Sequence, residues 1–390
     1  MKIKVLTLNC WGVPVPFVCK NRKERFLAIG TEVGKSSYDI VAFQEVWHKG
    51  DFEILKRNIG DTLPYSHYFY SGSIGSGLCL FSKHPILETL YHRFDPNGYC
   101  HKIQHGDWFG GKGLGLAKID VSGTIVHLYI THIHAEYNRE RDEYRAHRIC
   151  QAFSSSQFIK YTSNGAHVSF LCGDLNFEPV DLGYKMICCN GTLKDAWLEK
   201  QSTQSEDKEG NTSDCPSNSY SGNNKRDKYP HGKRIDYILY KAGEGISVEI
   251  EDCSLTLGRV PGKPFSYSDH EAVEATITVD KKEQKENKQE DQDLSALLQE
   301  SVSIVDSGLQ STRTNSRFFI AFSVLCLALA YFISVIHIPY PLDYFVTFFK
   351  LLLILSMGFG ISQFLIMIRS EVHGLEAGRL DMKNLLQNLK

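Results

Sequence analysis

The sequence predicts a layered α/β domain that ends in a C-terminal two-helix transmembrane hairpin. Three observations carry that prediction. From residue 1 to 279, apolar runs of strand length alternate with helical stretches and turn clusters. Residues 280–293 are dense in Lys, Glu, Asp and Gln, with almost nothing to bury, so the folded domain closes there in a linker or an exposed helix start. Beyond residue 317 the composition inverts into two apolar runs long enough to span a hydrocarbon core. The whole chain has 390 residues, 42% hydrophobic and 23% charged, an ordinary globular balance with room for a sizeable core.

The first element is a strand at 3–8: MKIKVLTLNCWG turns polar after a few alternating residues, unlike a signal peptide with its long apolar stretch. Further strands are expected at 40–43, 77–81, 124–131, 168–172, 235–239 and 272–279, and helices over 21–33 and 139–161. Residues 201–233, rich in Ser, Asn, Asp, Lys and Gly, read as a solvated insertion. No internal repeat is visible. The expected organisation is a domain at 1–279, a charged juxtamembrane segment at 280–316, a hairpin at 317–369 with spans at 318–338 and 345–368, and a cytosolic tail at 370–390.

Within the hairpin, the first span carries no charge unless His337 is protonated, and the second is broken only by Lys350, whose ammonium can snorkel to the interface. Two such runs joined by the short PYPLD turn favour a membrane hairpin over a pair of buried core helices. Arg313 and Arg317 flank the entry and Arg369, Arg379 and Lys383 follow the exit, whereas the turn has only Asp343. Both ends are therefore expected in the cytosol, with Lys350 arguing mildly the other way. Eleven cysteines, an odd and scattered set without a CxxC pair, read as free thiols in a reducing compartment. On that reading the sequons at Asn190 and Asn211 stay unmodified. A formal charge of −2 offers no basic face for a phosphate backbone, so nucleic acid is not an expected partner.

Several of the apolar strands end in groups that bind metal or move protons. VLTLN ends in Asn9, IVAFQE in Glu45, HLYITH in Thr131 and His132, and FLCGDLN in Asp174 and Asn176; Asp269 and His270 stand just before the last strand. Taken singly, Asn and Asp commonly terminate strands by bonding turn amides, and Glu is usually solvated. Their recurrence suggests convergence on one sheet edge, where ligands gather in open α/β sheets. Oxygen donors from Glu45, Asn9 and Asp174 suit a hard divalent cation such as Mg²⁺. Hydrolysis of a phosphodiester needs one group to take a proton from water and another to support the leaving oxygen, and His270 and His132 fit those needs. Asp236, in KRIDYILY, could orient a histidine; it could equally be a structural acid paired with Lys233 or Arg234. His134 is the nearest competitor of His132.

GDWFGGKG at 106–113 matches the first seven positions of a phosphate-binding P-loop, but Gly113 replaces the magnesium-binding Ser or Thr and a strand follows, so a nucleotide site is rejected. Trp108 and Phe109 in this loop suit either insertion at a membrane interface or packing on the domain's own core.

Taken in order, LNCWG, FQEVW, THIHAEY, GDLN, RIDYIL and SDH resemble the endonuclease/exonuclease/phosphatase superfamily. With GDWFGGKG and the trailing hairpin, the chain is similar to the neutral sphingomyelinases within it, over essentially its whole length. The resemblance implies a deoxyribonuclease-I-like four-layer sandwich, two packed mixed β-sheets flanked by helices, and Mg²⁺-dependent hydrolysis of sphingomyelin to ceramide and phosphocholine. It implies Glu45 as principal metal ligand with Asn9 beside it, and His270, oriented by Asp236, as general base. Asp174 and Asn176 would position water and a phosphate oxygen, Asp269 would support the metal or the base, and His132 would stabilise or protonate the departing oxygen. Lyso-platelet-activating factor and lysophosphatidylcholine carry the same head group and are further candidate substrates. The rival readings are a nuclease, opposed by the charge and the anchor; a phosphoinositide 5-phosphatase, which would need a basic pocket; and a membrane tether without catalysis, opposed by the filled motif positions. A short-looped hairpin with a cytosolic domain suits the endoplasmic reticulum.

Overall fold

Strand register, more than any single contact, brings the predicted residues together. The computed structural model describes residues 1–15, 18–201, 209–222, 227–281, 291–336 and 339–389. One sheet holds β1 (Lys2–Asn9), β2 (Ile40–Gln44), β3 (Tyr65–Tyr68), β4 (Cys79–Ser82), β11 (Ile246–Thr256) and β12 (Ala272–Lys281), in the order β11-β12-β1-β2-β4-β3. The other holds β5 (Ile86–Arg93), β6 (Gly113–Val121), β7 (Thr124–His132), β8 (Val168–Asp174), β9 (Lys194–Asp195) and β10 (Asp236–Ala242), in the order β5-β6-β7-β8-β10-β9. Each sheet is mixed, with one parallel pair, β1–β2 and β7–β8, among antiparallel neighbours.

The apolar face of each sheet has to be buried, and the two faces bury one another. Ile3, Val5 and Ala42 of the first sheet join Ile130, Phe170 and Ile238 of the second in one core. Helices α1 (Arg22–Lys35) and α2 (Lys49–Ile59) cover the outside of the first sheet, packing Phe26, Ile29 and Leu55 on Leu6, Leu8 and Phe43. Helices α3 (Arg145–Thr162) and α4 (Leu182–Gly191) do the same for the second, with Ala152, Ile159 and Ile187 on Tyr129, Leu171 and Leu239. The result is helix, sheet, sheet, helix, the four-layer sandwich that the resemblance implies. Strand β8 is buried at every position, as a central strand covered on both faces must be. A four-residue helix, α5 (Ala196–Glu199), follows β9.

Several elements differ from the sequence expectation. Helix α3 begins at Arg145 rather than at 139, because Arg139 pairs instead with Asp181 and Glu178 and the side chain of Asn138 accepts the N–H groups of Glu140 and Arg141. Strands β3, β5, β9 and β11 and helices α2, α4 and α5 are not among the expected elements, whereas β6 is the strand expected after Gly113. The stretch at 201–233 is no solvated insertion over its described part, since Thr212 and Asn218 are buried. Among the described residues no disulfide joins any of the eleven cysteines.

Beyond the sandwich, α6 (Asp291–Val335) is a single 45-residue helix, about 68 Å long at 1.5 Å per residue. Its first half lies on the domain, with Leu294, Leu298, Val305 and Leu309 buried among Ala146, Ile149, Phe153 and Met186. Its second half presents Phe318, Val324 and Phe332 outward, as does α7 (Leu342–Ser362) with Phe345, Phe348 and Leu355. Both helices are long and apolar enough to cross a membrane. A short π-helical turn, Gln363–Met367, leads into α8 (Ile368–Asn388), which returns to the domain and buries Leu375 and Met382 beside α3 and α6. His337 and residues 282–290 lie outside the described residues.

The two halves of α6 differ in what they bury, and this is testable. Leu298→Ala, which empties a fully buried site, is expected to cost about 2–5 kcal/mol and to lower the thermal unfolding midpoint in detergent. Leu327→Ala, at a 56% exposed position of the outward half, is expected to leave the midpoint unchanged.

Candidate active site

The ends of both sheets converge on one cleft. In the second sheet, register pairs His132 of β7 with Asp174 of β8, and Asp174 with Asp236 of β10, so three ionisable groups stand side by side on neighbouring strands. In the first, Asn9 at the end of β1 pairs with Gln44, and the chain turns immediately afterwards at Glu45. Glu45 and Asn176 both adopt left-handed backbone, with φ of 57° and 50°, a conformation that is costly for residues other than glycine and concentrates at functional sites. Gly173 precedes Asp174 at φ 144°, where a Cβ would lie 2.0 Å from the carbonyl oxygen of Thr131. Only glycine lets β8 pass β7 this closely while delivering Asp174 to the cleft.

Asn9, fully buried, links the two sheets: its Nδ2 donates to Glu45 Oε1 and to Asp174 Oδ2, both at 3.0 Å, while its Oδ1 accepts the N–H of Trp11. The amide therefore turns its nitrogen, not its oxygen, to the carboxylates. Asp174 Oδ1 accepts the N–H of Asn176, whose own Nδ2 donates to the Ile133 carbonyl, so the DLN turn is held from both sides. Ser268 donates to the Asn9 carbonyl at 2.6 Å and fastens the SDH segment to β1.

His270 Nδ1 lies 2.8 Å from Asp236 Oδ2, which also accepts from Thr212 Oγ1 at 2.6 Å. Asp236 is free for this role because Lys233 pairs with Asp214 and Arg234 with Asp195. Burial disfavours a charged His270, but Asp236 first, then Asp269 and Asp174, outweigh it and hold the ring well above the usual histidine value. Asp174 is pushed up to about 7, chiefly by burial and then by Asp236. Burial and then Asp269 raise Glu45, against the hydrogen bond from Asn9.

Ligand-type atoms of Asp174, Asp236 and His270 lie within 4.8 Å of one another, a grouping that offers donors to a cation. Because Nδ1 of His270 is already bonded to Asp236, this trio suits proton movement. Glu45 and Asp174, half-buried and buried, face each other across Asn9 with Asp269 raising Glu45 further. Crowded oxygen donors that hold one another's charge down fit a hard divalent ion, whose charge would relieve them.

Two residues were missed from sequence. Lys112, 2% exposed, sends its ammonium to Asp107, to the Ile133 carbonyl at 3.0 Å and to within 3.2 Å of His132 Nε2. This is the lysine of the P-loop-like stretch; rejecting the nucleotide motif discarded a buried cation, and its position in GDWFGGKG was the available signal. Asp107 accepts from Tyr137 as well, and His134 and Lys112 outweigh its burial and hold its carboxyl well below the usual range. Thr212, in the stretch read as solvated, gave no sequence signal. Burial and then Lys112 push His132 well below the ordinary histidine value, so its ring is neutral; its Nε2 is 3.6 Å from Asp174 Oδ2. His134 points elsewhere, stacking on Tyr144 with 4.1 Å between ring centroids. The ring of Trp47 lies 6.5 Å from that of His132, and Trp108 and Phe109 are half-buried in the loop that carries Lys112.

Fold and site together define an α/β sandwich with a histidine–aspartate pair beside an acidic, cation-ready floor. The sequence model of the Endonuclease/Exonuclease/phosphatase family matches residues 6–270, and the chain belongs to that family. A Caenorhabditis elegans protein named "Putative neutral sphingomyelinase" is 38% identical over 99% of this chain and 92% of its own length. Sphingomyelin phosphodiesterase 2 of Homo sapiens is 43% identical over 72% of this chain; the match spans 65% of the human protein, just under two thirds. Among solved structures, D. rerio TDP2 complexed with single-strand DNA product superposes with a TM-score of 0.55 and 16% identity, over 71% of this chain and 99% of that one, a likeness of fold alone.

The His270–Asp236 pair has a direct spectroscopic consequence. In NMR titration of labelled histidines, His270 is expected to keep its proton to a pH above the ordinary histidine midpoint of about 6.5, and Asp236→Asn is expected to bring that midpoint down.

Proposed function

We propose that this chain is a membrane-anchored, Mg²⁺-dependent phosphodiesterase of the phospholipase C type that hydrolyses sphingomyelin to ceramide and phosphocholine. The single observation that carries the reading is the His270–Asp236 pair set beside the Glu45–Asn9–Asp174 bridge, in a chain whose last helices are long and apolar enough to cross a bilayer. The names of the worm and human relatives support sphingomyelin as the substrate. Lysophosphatidylcholine and lyso-platelet-activating factor share the head group and belong to the same proposal. Nothing in a net charge of −2 favours a nuclease.

In this reading, His270 takes a proton from water through Nε2, because Asp236 holds its Nδ1 and stabilises the imidazolium that forms. Asp174 and the DLN turn orient that water and one phosphate oxygen. Glu45 would hold Mg²⁺, with Asn9 fixing its carboxylate and Asp269 and Asp174 adding negative charge nearby. When bound, the ion supplies charge neutralisation at the phosphate oxygens. His132 is neutral and its Nε2 accepts from the Lys112 ammonium, so its Nδ1–H is the donor left for the departing ceramide oxygen, with the Lys112 charge behind the ring. The hairpin would keep the cleft at a bilayer surface with the domain in the cytosol, in keeping with endoplasmic reticulum membranes.

The test is phosphocholine release from sphingomyelin in detergent micelles. Release is expected with Mg²⁺ and is expected to stop on chelation. His270→Ala and Glu45→Ala are each expected to lower kcat by at least about 10²–10⁴-fold with unchanged circular dichroism. Activity retained in either folded variant would contradict these roles. Because the base must be neutral, wild-type turnover is expected to climb as pH rises through the raised His270 value, and Asp236→Asn to begin its climb at lower pH with a lower plateau.

A further inference from the structure

The helix that follows the apolar hairpin reaches back to the cleft through one buried carboxylate. Glu371, on the first turn of α8 and 4% exposed, accepts the backbone N–H groups of Asn97 at 2.9 Å and Gly98 at 3.1 Å. One turn later on the same face stands Gly374, where a Cβ would lie 2.8 Å from the Pro96 nitrogen and 2.9 Å from the Asp95 carbonyl carbon. A glycine and a carboxylate thus seat α8 on the 95–98 turn, one by close approach and the other by charge-assisted hydrogen bonds. Other segments flanking the hairpin hold the residues that follow. Tyr99 bonds Thr312 of α6 at 2.7 Å, Gln363 donates to Cys100 Sγ at 3.0 Å, and the rings of His101 and Phe319 meet edge to face at 5.0 Å.

The 95–98 turn leads directly to the cleft. Asn97, itself 2% exposed, donates from Nδ2 to the carbonyl oxygens of Gly110 at 2.6 Å and Trp108 at 3.3 Å. Those carbonyls belong to the loop bounded by Asp107 and Lys112, whose ammonium stands against His132. At Gly98, a Cβ would come within 2.7 Å of His134 Nε2, so the same turn also abuts the β7 end. The Glu371 carboxylate also lies 3.4 Å from Nε2 of the buried His147 of α3, so it joins the turn to α8 and α3 at one point and fixes where the turn sits.

We propose that Glu371 is a positioning residue for the reaction: through Asn97 it sets the 107–112 loop so that Lys112 stands against His132, and the helix beyond the membrane hairpin thereby completes the leaving-group side of the site. The proposal rests on the phosphodiesterase reading above. It has a signature that simple helix packing lacks.

Full-length protein is assayed in sphingomyelin–detergent micelles with Mg²⁺, and hydrogen exchange is followed over residues 105–112 and over α8. Glu371→Ala is expected to lower kcat between about tenfold and about a hundredfold with KM unchanged, and Glu371→Gln, whose amide oxygen still accepts, to recover most of it. Asn97→Ala is expected to match the loss, and the double variant to fall no further, because both act on one path. Exchange should quicken at 105–112 while α8 stays protected. Activity of Glu371→Ala within about twofold of wild type, multiplying losses in the double variant, or loss of α8 protection together with the loop would each overturn the proposal. Wild-type protein that releases no phosphocholine would contradict the reaction instead, and exchange at 105–112 would still decide the clamp.

Discussion

Burial of several carboxylates at one point is the constraint from which the rest of the structure follows. Glu45, Asp174 and Asp236 arrive from both sheets, with Asp269 beside them, and each loses hydration that nothing apolar can replace. Like charges at such range cannot all stay ionised without help. The structure answers each in a different way: Asp236 is paired with His270 and capped by Thr212, Asp174 is held by Asn9 and the Asn176 amide, and Glu45 shares Asn9. That unequal treatment separates the work. The pair with the imidazole is suited to moving protons, and the least compensated carboxylate to holding a metal.

Keeping this arrangement explains features that stability alone would not favour. Left-handed backbone at Glu45 and Asn176, a glycine next to the end of β8, and a lysine with almost no exposure all cost the fold something. Each lies within a residue or two of the cleft or points into it. The same sandwich occurs, at 16% identity, in a neighbour complexed with single-strand DNA product, so the fold itself does not choose a substrate. Here the choice falls to the groups at the cleft and to the apolar hairpin, and α8 ties the two together by coming back to the domain.

Much of this was legible in the sequence, for identifiable reasons. Asn9, Glu45, His132 and Asp174 stand out because each sits where an apolar run stops, whereas Asp236 and His270 stand at or just before the start of one. The hairpin was legible from composition alone. Lys112 was not, because its meaning depends on β6 folding back beside β7, and a lysine in a glycine-rich loop resembles a different motif. Thr212 and Glu371 were beyond reach for a similar reason: they contact Asp236 and Asn97 across 24 and 274 residues of chain, and nothing local marks them. Charged residues at 139–143 fit a helix by propensity, but helix α3 begins later because Arg139 pairs with the 178–181 loop and Asn138 takes the Glu140 and Arg141 amides.

The central claim is that water, deprotonated at His270, attacks phosphorus and expels the ceramide oxygen. Turnover of sphingomyelin in H₂¹⁸O, followed by mass spectrometry of both products, tests it most directly. The account requires one ¹⁸O in the released phosphocholine and none in ceramide. Label in the ceramide hydroxyl, or unlabelled phosphocholine, would contradict it.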